Sequence, residues 1–380
     1  MKACMLRILI LVVGSALAMQ AARAETSILV DAQTGLVLAE ERAGQAWYPA
    51  SLTKLMTAYV AFRALQAGEI TLQSPVKMTR NAASKPPAKM GYKPGAVMTF
   101  DNALKMLLVK SANDIAIAVG ENISGSEEAF VARMNAEAAR LGMTGSHFAN
   151  PNGLHSEQNY STARDLAVLA LAIRREFPEK AGYFNIGAIT DGKRVMETYN
   201  QLLGRFDGAD GMKTGFVCSS GFNMVGSATR NGRTLIAVVL GAKSGAARTD
   251  KAADMLAAGF AKTADAGIGI AALTAAAGTA PDMREIICPK AQPQASEKGT
   301  AKEAKDAKQT EKKPKFLSPH LREEADPFVP VKVGLGGAIG EPLAITEPLR
   351  RIPIPTPRPD YPVPAAKAAS APGLKPALAQ

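Results

Sequence analysis

The pattern of apolar and polar residues predicts a folded region in the middle of the chain that begins with a hairpin. In TSILVDAQTGLVLAE, residues 26–40, two short β-like runs flank a Gln-Thr-Gly turn. Apolar residues then recur at helical spacing, which predicts helices at about 52–67, 99–122, 126–141 and 162–176. We expect the second of these helices to break near Ser111.

Strand patterns return after the helical block. The runs GMKTGFV, GFNMVGSATR and RTLIAVVLGA follow one another with short turns between them, and a helix at about 246–264 follows. Because the first and last elements of such a chain can share one sheet, the order predicts an α+β domain at residues 25–265. In this domain helices flank an antiparallel sheet and form a helical insertion. Residues 266–288 are expected to be a linker or a short C-terminal extension.

The N-terminal residues have the pattern of a secretory signal peptide. Lys2 and Arg7 give the first seven residues a positive charge. The apolar run ILILVVGSALAM follows, and the small-residue pattern Ala-Arg-Ala ends at Ala24. A membrane anchor is the alternative, but the apolar run is short for a span and is followed by a small-residue cleavage pattern. We therefore expect residues 1–24 to be removed and the mature chain to work outside the cytoplasm, with no transmembrane segment.

The C-terminal residues 289–380 are rich in Lys, Ala and Pro and lack apolar periodicity. Such sequence buries too little apolar surface to offset the entropy of ordering, so we expect a mostly disordered C-terminal tail. Within it, PFVPVKVGLGGAIGEPLAI at residues 327–345 is apolar enough to dock on another surface.

Charge limits the classes of partner. The net charge is +11, and residues 289–380 contain 15 basic and 10 acidic side chains. A basic tail favours loose association with an anionic envelope surface, although a solvated tether would have the same composition. The chain has no basic-aromatic motif, so we expect no nucleic-acid partner.

Neither the cysteines nor the histidines predict a metal or a cofactor. Cys218 and Cys288 remain after removal of the signal peptide, and the sequence is compatible with a disulfide or with two unpaired thiols. His147 and His155 stand in a loop-like stretch, and the chain has no His-Glu-x-x-His or Cys-x-x-Cys spacing.

The stretch WYPASLTKLMTAYVAF carries the first candidate for catalysis. Ser51 stands at a predicted helix start, and Lys54 follows three residues later on the same helical face. A serine hydroxyl needs a base to become a nucleophile, and a buried lysine beside another positive charge can be that base. This spacing also occurs by chance, as a helix cap followed by a surface lysine.

Two further motifs support the catalytic interpretation. Ser111-Ala112-Asn113 stands at the expected helix break, and Lys213-Thr214-Gly215 lies on a predicted strand. Ser-x-x-Lys, a Ser-x-Asn motif and Lys-Thr-Gly occur together, in this order, in penicillin-recognising serine enzymes. The three motifs and their structural contexts therefore predict an active site of that kind.

The text around the motifs resembles the D-alanyl-D-alanine carboxypeptidases, the low-molecular-mass penicillin-binding proteins of the bacterial periplasm. The resemblance lies in PASLTKLMTAYVAF, LLVKSANDIAIAVGENISGS, HFANPNGLH, NYSTARDLA and GADGMKTGF, and covers about residues 25–265. It implies a β-lactamase/transpeptidase-like fold. It also implies removal of the terminal D-alanine from peptidoglycan stem pentapeptides through an acyl-enzyme, with covalent inhibition by β-lactams and no cofactor.

The resemblance also implies roles for individual residues. Ser51 matches the nucleophile, Lys54 its general base, and Ser111 the serine that passes a proton to the leaving amine. The substrate-binding residues would be Asn113, Lys213, Thr214, Gly215 and Phe216. Lys213 and Thr214 would recognise the terminal carboxylate, and the backbone N–H groups of Ser51 and Phe216 would stabilise the oxyanion.

Two positions depart from the family pattern, and three other functions use related features. Ala112 stands where β-lactamases often have Asp, and Phe216 stands where several family members have His. A D,D-endopeptidase acting on cross-links would use the same residues. A β-lactamase of class A would need an additional Glu to activate water, and the stretch LGMTGSHFANPNGLHSE between the second and third motifs has no Glu-x-x-x-Asn element that fits this role. A catalytically inactive protein that only binds peptidoglycan would not need all three catalytic motifs intact.

Overall fold

An antiparallel sheet and a block of helices form the fold. The structure, a computed structural model, describes residues 25–262, 267–289 and 315–342. These residues all lie in one compact unit of the chain, Met1–Glu347, and the second unit, Pro348–Gln380, lies outside them.

The strands are β1 (Thr26–Asp31), β2 (Leu36–Glu41), β3 (Pro75–Lys77), β4 (Val97–Thr99), β5 (Ala188–Thr190), β6 (Val195–Glu197), β7 (Ala209–Val217), β8 (Gly221–Arg230), β9 (Arg233–Ala242), β10 (Ile268–Gly269) and β11 (Val331–Lys332). The helices are α1 (Thr53–Gln66), α2 (Arg80–Ser84), α3 (Phe100–Leu108), α4 (Asn113–Ser124), α5 (Glu127–Arg140), α6 (Ala163–Glu176), α7 (Gly245–Phe260) and α8 (Arg284–Ile287).

The main sheet joins the two ends of the predicted domain. Its strand order is β10-β2-β1-β9-β8-β7, and β1 pairs antiparallel with both β2 and β9. The expected first hairpin turns at Gly35, whose φ of 73° suits glycine, while the Asp31 carboxylate accepts from the backbone N–H groups of Gln33 and Thr34. The predicted α+β class with one antiparallel sheet is therefore confirmed.

The sheet separates two apolar cores. Along β1, Ile28 and Val30 belong to the larger core on the side of the helical block, whereas Leu29 belongs to the smaller core under α7. Successive side chains of a strand point to opposite faces, so a central strand that is covered on both sides is apolar throughout. β7, at one edge of this sheet, carries the Lys-Thr-Gly motif.

Helix α1 is the buried central helix of the helical block. Most side chains of α1 are buried, including Tyr59 and Phe62, because neighbouring helices cover it on several sides. The helix expected at 99–122 breaks as predicted: α3 ends at Leu108, α4 begins at Asn113, and Ser111 between them has a φ of 60°. Thr99, Ser126, Thr162 and Ser244 cap the starts of α3, α5, α6 and α7 with their side-chain oxygens.

Five short strands among the described residues lie outside the main sheet and have no counterpart in the sequence prediction. β3 pairs with β4, and β5 pairs antiparallel with β6 and parallel with β11. Each contains only two or three residues, which is too short for an alternating pattern to stand out.

Residues 267–289 lie along the main sheet as an extension of the domain. β10 pairs with β2, the Ala276 N–H donates to Gly44 O at 2.8 Å, and the Met283 N–H donates to Ser219 O at 3.1 Å. Cys218 and Cys288, left open by the sequence, form a disulfide with a Cα–Cα distance of 5.7 Å.

Residues 315–342, part of the tail expected to be mostly disordered, pack across the domain, and we call them the strap. The Ser318 hydroxyl donates to Asp254 of α7 at 2.6 Å, β11 pairs with β5, and Asn102 of α3 donates to Gly334 O at 3.1 Å. The apolar stretch expected to dock therefore does so, over its described residues, on this domain. The signal peptide at 1–24 and the rest of the expected tail, residues 290–314 and 343–380, lie outside the described residues.

Among the helices of the described residues, none has the length and apolar character that a membrane span requires.

Candidate active site

Ser51 lies on a short 3₁₀ helix, Ala50–Leu52, directly before α1. Two glycines allow other backbone segments to approach it closely. A Cβ at Gly153 would lie 1.9 Å from Ala50 O, and one at Gly215 would lie 3.0 Å from the Ser51 nitrogen. Ala50 has a φ of 48°, an uncommon conformation for a residue other than glycine. The surrounding backbone thus fixes the position of Ser51 tightly.

Lys54, one helical turn later, is fully buried with its amine beside Ser51. Its Nζ lies 3.0 Å from Ser51 Oγ and donates to Asn113 Oδ1 at 2.8 Å and to the backbone carbonyl of Asn152. The Asn113 amide is oriented by its Nδ2, which donates to Pro86 O at 3.1 Å. Both carbonyl oxygens can only accept. A neutral amine has two N–H groups for them and a lone pair that remains for the Ser51 hydroxyl.

Electrostatics favour that neutral form. Burial, and then the positive charge of Lys213, lower the pKa of Lys54 well below its usual value of 10.5, while Asp114 acts in the opposite direction. Burial disfavours the charged form of an amine because the protein solvates it less well than water does. The sequence analysis expected both burial and a neighbouring positive charge to favour the neutral amine, and in the structure burial is the larger of the two effects.

Ser111 and Lys213 face this pair from the other side of the cleft. Lys213 Nζ, on β7, donates to Ser111 Oγ and to Thr214 O, both at 2.9 Å. Asn113 begins α4, and its backbone N–H donates to Ala88 O at 2.7 Å. The structure therefore brings the three predicted motifs, from α1, the α3–α4 connection and β7, into one cleft.

The remaining predicted residues line the same pocket. It is a cavity of about 420 Å³, and Thr214, Gly215 and Phe216 contribute to its wall along β7. The Thr214 side chain is buried, whereas Phe216 is 43% exposed and packs on Phe222 with ring centroids 4.3 Å apart. Phe216 thus places an aromatic ring on the rim of the cleft.

Arg248, which the motifs did not indicate, contributes a second buried cation. It lies on α7, lines the pocket, and is 6% exposed. Its Nη2 donates to Tyr199 O at 3.0 Å and its Nη1 to Asn223 O at 3.3 Å, while Nε has no hydrogen-bond partner among the described residues. A buried, unsatisfied cationic donor beside a pocket suits an anionic group of a ligand.

The two pocket cations affect each other. Burial lowers the pKa of Arg248 to about 10, and burial together with the Arg248 charge lowers the pKa of Lys213 to about 7. A bound carboxylate would oppose both shifts, because a nearby negative charge favours the protonated forms. The pocket thus brings two buried cationic groups together, which favours the binding of an anion.

Two other contributors were also missed by sequence reasoning. Asn152 holds Lys54 through a backbone oxygen, which no side-chain motif can reveal, although the HFANPNGLH segment that contains it was noted for its resemblance. Tyr199 lines the pocket from the β6–β7 connection, a region without a recognisable pattern. A signal for Arg248 did exist. A positive charge in the first turn of a helix interacts unfavourably with the helix dipole. Its presence in the first turn of α7 therefore suggests a functional role for Arg248.

Comparisons with known proteins agree with this geometry. The model of the D-alanyl-D-alanine carboxypeptidase family matches residues 14–244. The D-alanyl-D-alanine carboxypeptidase DacC of Escherichia coli is 38% identical over 240 residues, which cover 61% of this chain and 60% of that protein. This chain therefore spans less than two thirds of the length of that relative.

Solved structures match the same region. The D-alanyl-D-alanine carboxypeptidase DacD of Francisella tularensis is similar with a TM-score of 0.61 and 30% identity, over 63% of this chain and 71% of its own. Penicillin-binding protein D2 of Listeria monocytogenes, in an ampicillin-bound form, has a TM-score of 0.57 and 28% identity, over 62% and 96%. These similarities confirm the predicted fold. Since the family model matches more than half of the sequence, the chain belongs to the D-alanyl-D-alanine carboxypeptidase family.

Proposed function

We propose that this protein is a serine-type D-alanyl-D-alanine carboxypeptidase that removes the terminal D-alanine from peptidoglycan stem pentapeptides. The observation that carries the proposal is the fully buried Lys54 amine, 3.0 Å from Ser51 Oγ and with both its N–H groups directed to carbonyl oxygens. This arrangement leaves the amine lone pair for the Ser51 proton. It has little purpose in a protein that only binds peptidoglycan.

In the acylation step, Ser51 Oγ attacks the carbonyl carbon of the penultimate D-alanine while Lys54 takes the hydroxyl proton. Backbone N–H groups at Ser51 and Phe216 would stabilise the negative charge on the substrate oxygen. The carbon–nitrogen bond then breaks. The proton that Lys54 took passes through Ser111 to the leaving amine, so Lys54 is neutral again; Ser111 lies 2.9 Å from Lys213 Nζ. The products are free D-alanine and an ester on Ser51.

In the deacylation step, water attacks the ester carbonyl and gives a proton to the neutral Lys54 amine. The ester bond breaks, Ser51 regains a proton from Lys54, and the shortened peptide leaves with a free carboxylate. One water molecule is consumed in each cycle, and the protein returns to its starting protonation state.

Recognition of the terminal carboxylate is assigned to the positive side of the pocket. Lys213 and Thr214 were predicted for this role from the resemblance, and the unsatisfied Nε of Arg248 adds a third donor in the same wall. Asn113 would hold the peptide group of the substrate through the second N–H of its Nδ2, the first being donated to Pro86 O. β-Lactams also carry a carboxylate beside a reactive carbonyl, so the same residues would direct them to acylate Ser51.

The place of action would be the bacterial periplasm or cell envelope. The support is the sequence pattern of a signal peptide at residues 1–24 and the substrate that the family acts on. Loose attachment to an anionic envelope surface through the basic tail would follow from its charge alone.

D-Alanine release tests the proposal directly. Purified mature protein should release D-alanine from a stem pentapeptide, and Ser51→Ala should abolish the release while circular dichroism shows an intact fold. Release by the Ser51→Ala variant at the wild-type rate would overturn the proposal. So would a well-folded wild type that neither releases D-alanine nor is labelled by a fluorescent penicillin.

A further inference from the structure

We propose that Tyr199 and Lys110 form a latch that closes the carboxylate end of the cleft and restricts the leaving residue to a small side chain. The inference rests on the proposed carboxypeptidase function and adds a specificity determinant to it. Neither residue belongs to the three motifs.

Tyr199 lines the cleft, and Lys110 is the chain neighbour of Ser111, which also lines it. Lys110 directly precedes Ser111 in the α3–α4 connection, and Tyr199 follows β6. Lys110 Nζ donates to the Tyr199 hydroxyl at 3.3 Å and lies 5.7 Å from the centre of the tyrosine ring. Together these contacts bridge the mouth of the pocket.

The bridge lies at the end where the terminal carboxylate would bind. The backbone oxygen of Tyr199 accepts from Arg248 at 3.0 Å, and Tyr199 lines the same pocket as Thr214 and Arg248. Lys110 is the neighbour of Ser111, which accepts from Lys213. The latch therefore borders the cations assigned to the carboxylate.

The backbone of Tyr199 is held firmly although its ring is 48% exposed. Besides the bond to Arg248, the neighbouring Asn200 is buried and its Nδ2 donates to Gly211 O, on β7, at 2.8 Å. These bonds fix the backbone from which the ring projects, and the contacts with Lys110 fix the direction of the ring. It acts as a wall rather than as a loose surface side chain.

The latch can distinguish between the side chains of different leaving residues, which the cations cannot do. Every D-amino acid in the leaving position has the same free carboxylate, so Lys213, Thr214 and Arg248 do not distinguish one side chain from another. A methyl group needs little space, whereas a longer side chain must displace the latch. Discrimination by such a clash is a common source of specificity. The latch would thus favour D-alanine over larger leaving residues, including those that continue into a cross-linked strand.

Competition between two peptides tests the latch. Peptides ending in D-Ala-D-Ala and in D-Ala-D-Leu are given to wild type, Tyr199→Ala, Tyr199→Phe and Lys110→Met, and the ratio of kcat/KM for D-leucine to D-alanine release is measured. We expect Tyr199→Ala to raise this ratio by about 10-fold, in the range of one or two methylene groups in a pocket. Tyr199→Phe and Lys110→Met, which remove only the bridging contact, should raise it by a smaller and similar factor.

Phe216→Ala is the matched control, because Phe216 is also a half-exposed aromatic residue on the rim. If the ratio rises in Phe216→Ala and stays at the wild-type value in Tyr199→Ala, the latch is assigned to the wrong wall and the inference is overturned. Wild-type release of D-alanine with an unchanged ratio in all the variants would overturn the latch alone. No release of either residue by wild type would overturn the proposed function, and the latch with it.

Discussion

Removal of the Cys218–Cys288 disulfide should destabilise the domain strongly while leaving the active site in place. Cys218 directly follows β7, and Cys288 follows α8 at the end of the extension. The double variant Cys218→Ser/Cys288→Ser removes the covalent link but leaves the backbone bond from Met283 to Ser219 O and the pairing of β10 with β2. The folded state therefore keeps its contacts, and the main change is in the unfolded chain.

The magnitude follows from the length of the closed loop. The two cysteines are 70 residues apart, and a cross-link of that length lowers the free energy of the folded state relative to the unfolded chain by about 4 kcal/mol in the chain-entropy model. For a domain of this size such a loss corresponds to a decrease in Tm of roughly 10 °C. A smaller effect is expected on acylation, because no catalytic residue is bonded to either cysteine.

The single tryptophan provides the assay. Trp47 is fully buried, and its Nε1 donates to Ser220 O at 2.9 Å, in the same turn as Cys218. Urea unfolding followed by Trp47 fluorescence should show the loss for the double variant and the same loss for reduced wild type, and reductant should not change the double variant further. A change of less than about 1 kcal/mol would contradict the reasoning, because the unfolded chain would then gain little freedom from the loss of the link.

Three further predictions concern the catalytic amines and the strap. Lys54→Met should stay folded, since it fills the same buried space, but should lower the benzylpenicillin acylation rate by about 10²–10⁴-fold; a wild-type rate would contradict the assigned base. The pH profile of kcat/KM should rise as Lys54 loses its proton, well below pH 10.5, and fall as Lys213 loses its own. Lys213→Arg stays charged and should remove the alkaline decrease, and persistence of the decrease would assign it to another group. Phe328→Ala should lower the free energy of unfolding by about 2 kcal/mol, because its ring packs closely against Gly187, whereas Val329→Ala, at an 88% exposed position, should change it by less than about 0.5 kcal/mol. Equal urea midpoints for these two variants would contradict a stabilising role for the strap.

The catalytic core could be predicted from sequence because its chemistry is encoded in short spacings. Ser51 and Lys54 meet through one helical turn, and the Ser111 break and the Lys213 strand are visible in local patterns. What the spacings do not contain is the network that makes Lys54 a base. The Asn152 oxygen and the burial of the amine arise only when α1, α4 and the loop around residue 152 pack together.

The parts that escaped prediction depend on contacts between segments far apart in the sequence. The strap has low-complexity sequence on both sides, and β11 has only two residues, so composition alone predicted disorder. Its place comes from complementary shape: a Cβ at Gly187 would lie 2.0 Å from the Phe328 ring. Tyr199 and Arg248 likewise enter the pocket from elements whose own patterns indicate only a loop and a helix.

The central claim is that a neutral Lys54 activates Ser51 in a cleft that it shares with Lys213. Mass spectrometry of the mature protein after incubation with benzylpenicillin tests it most directly. The account predicts one intact penicillin added per chain, located on the peptide that contains Ser51. It predicts no adduct on Ser51→Ala, and on Lys54→Met an adduct that forms about 10²–10⁴-fold more slowly. Well-folded wild type without an adduct, or an adduct on another residue, would contradict the account.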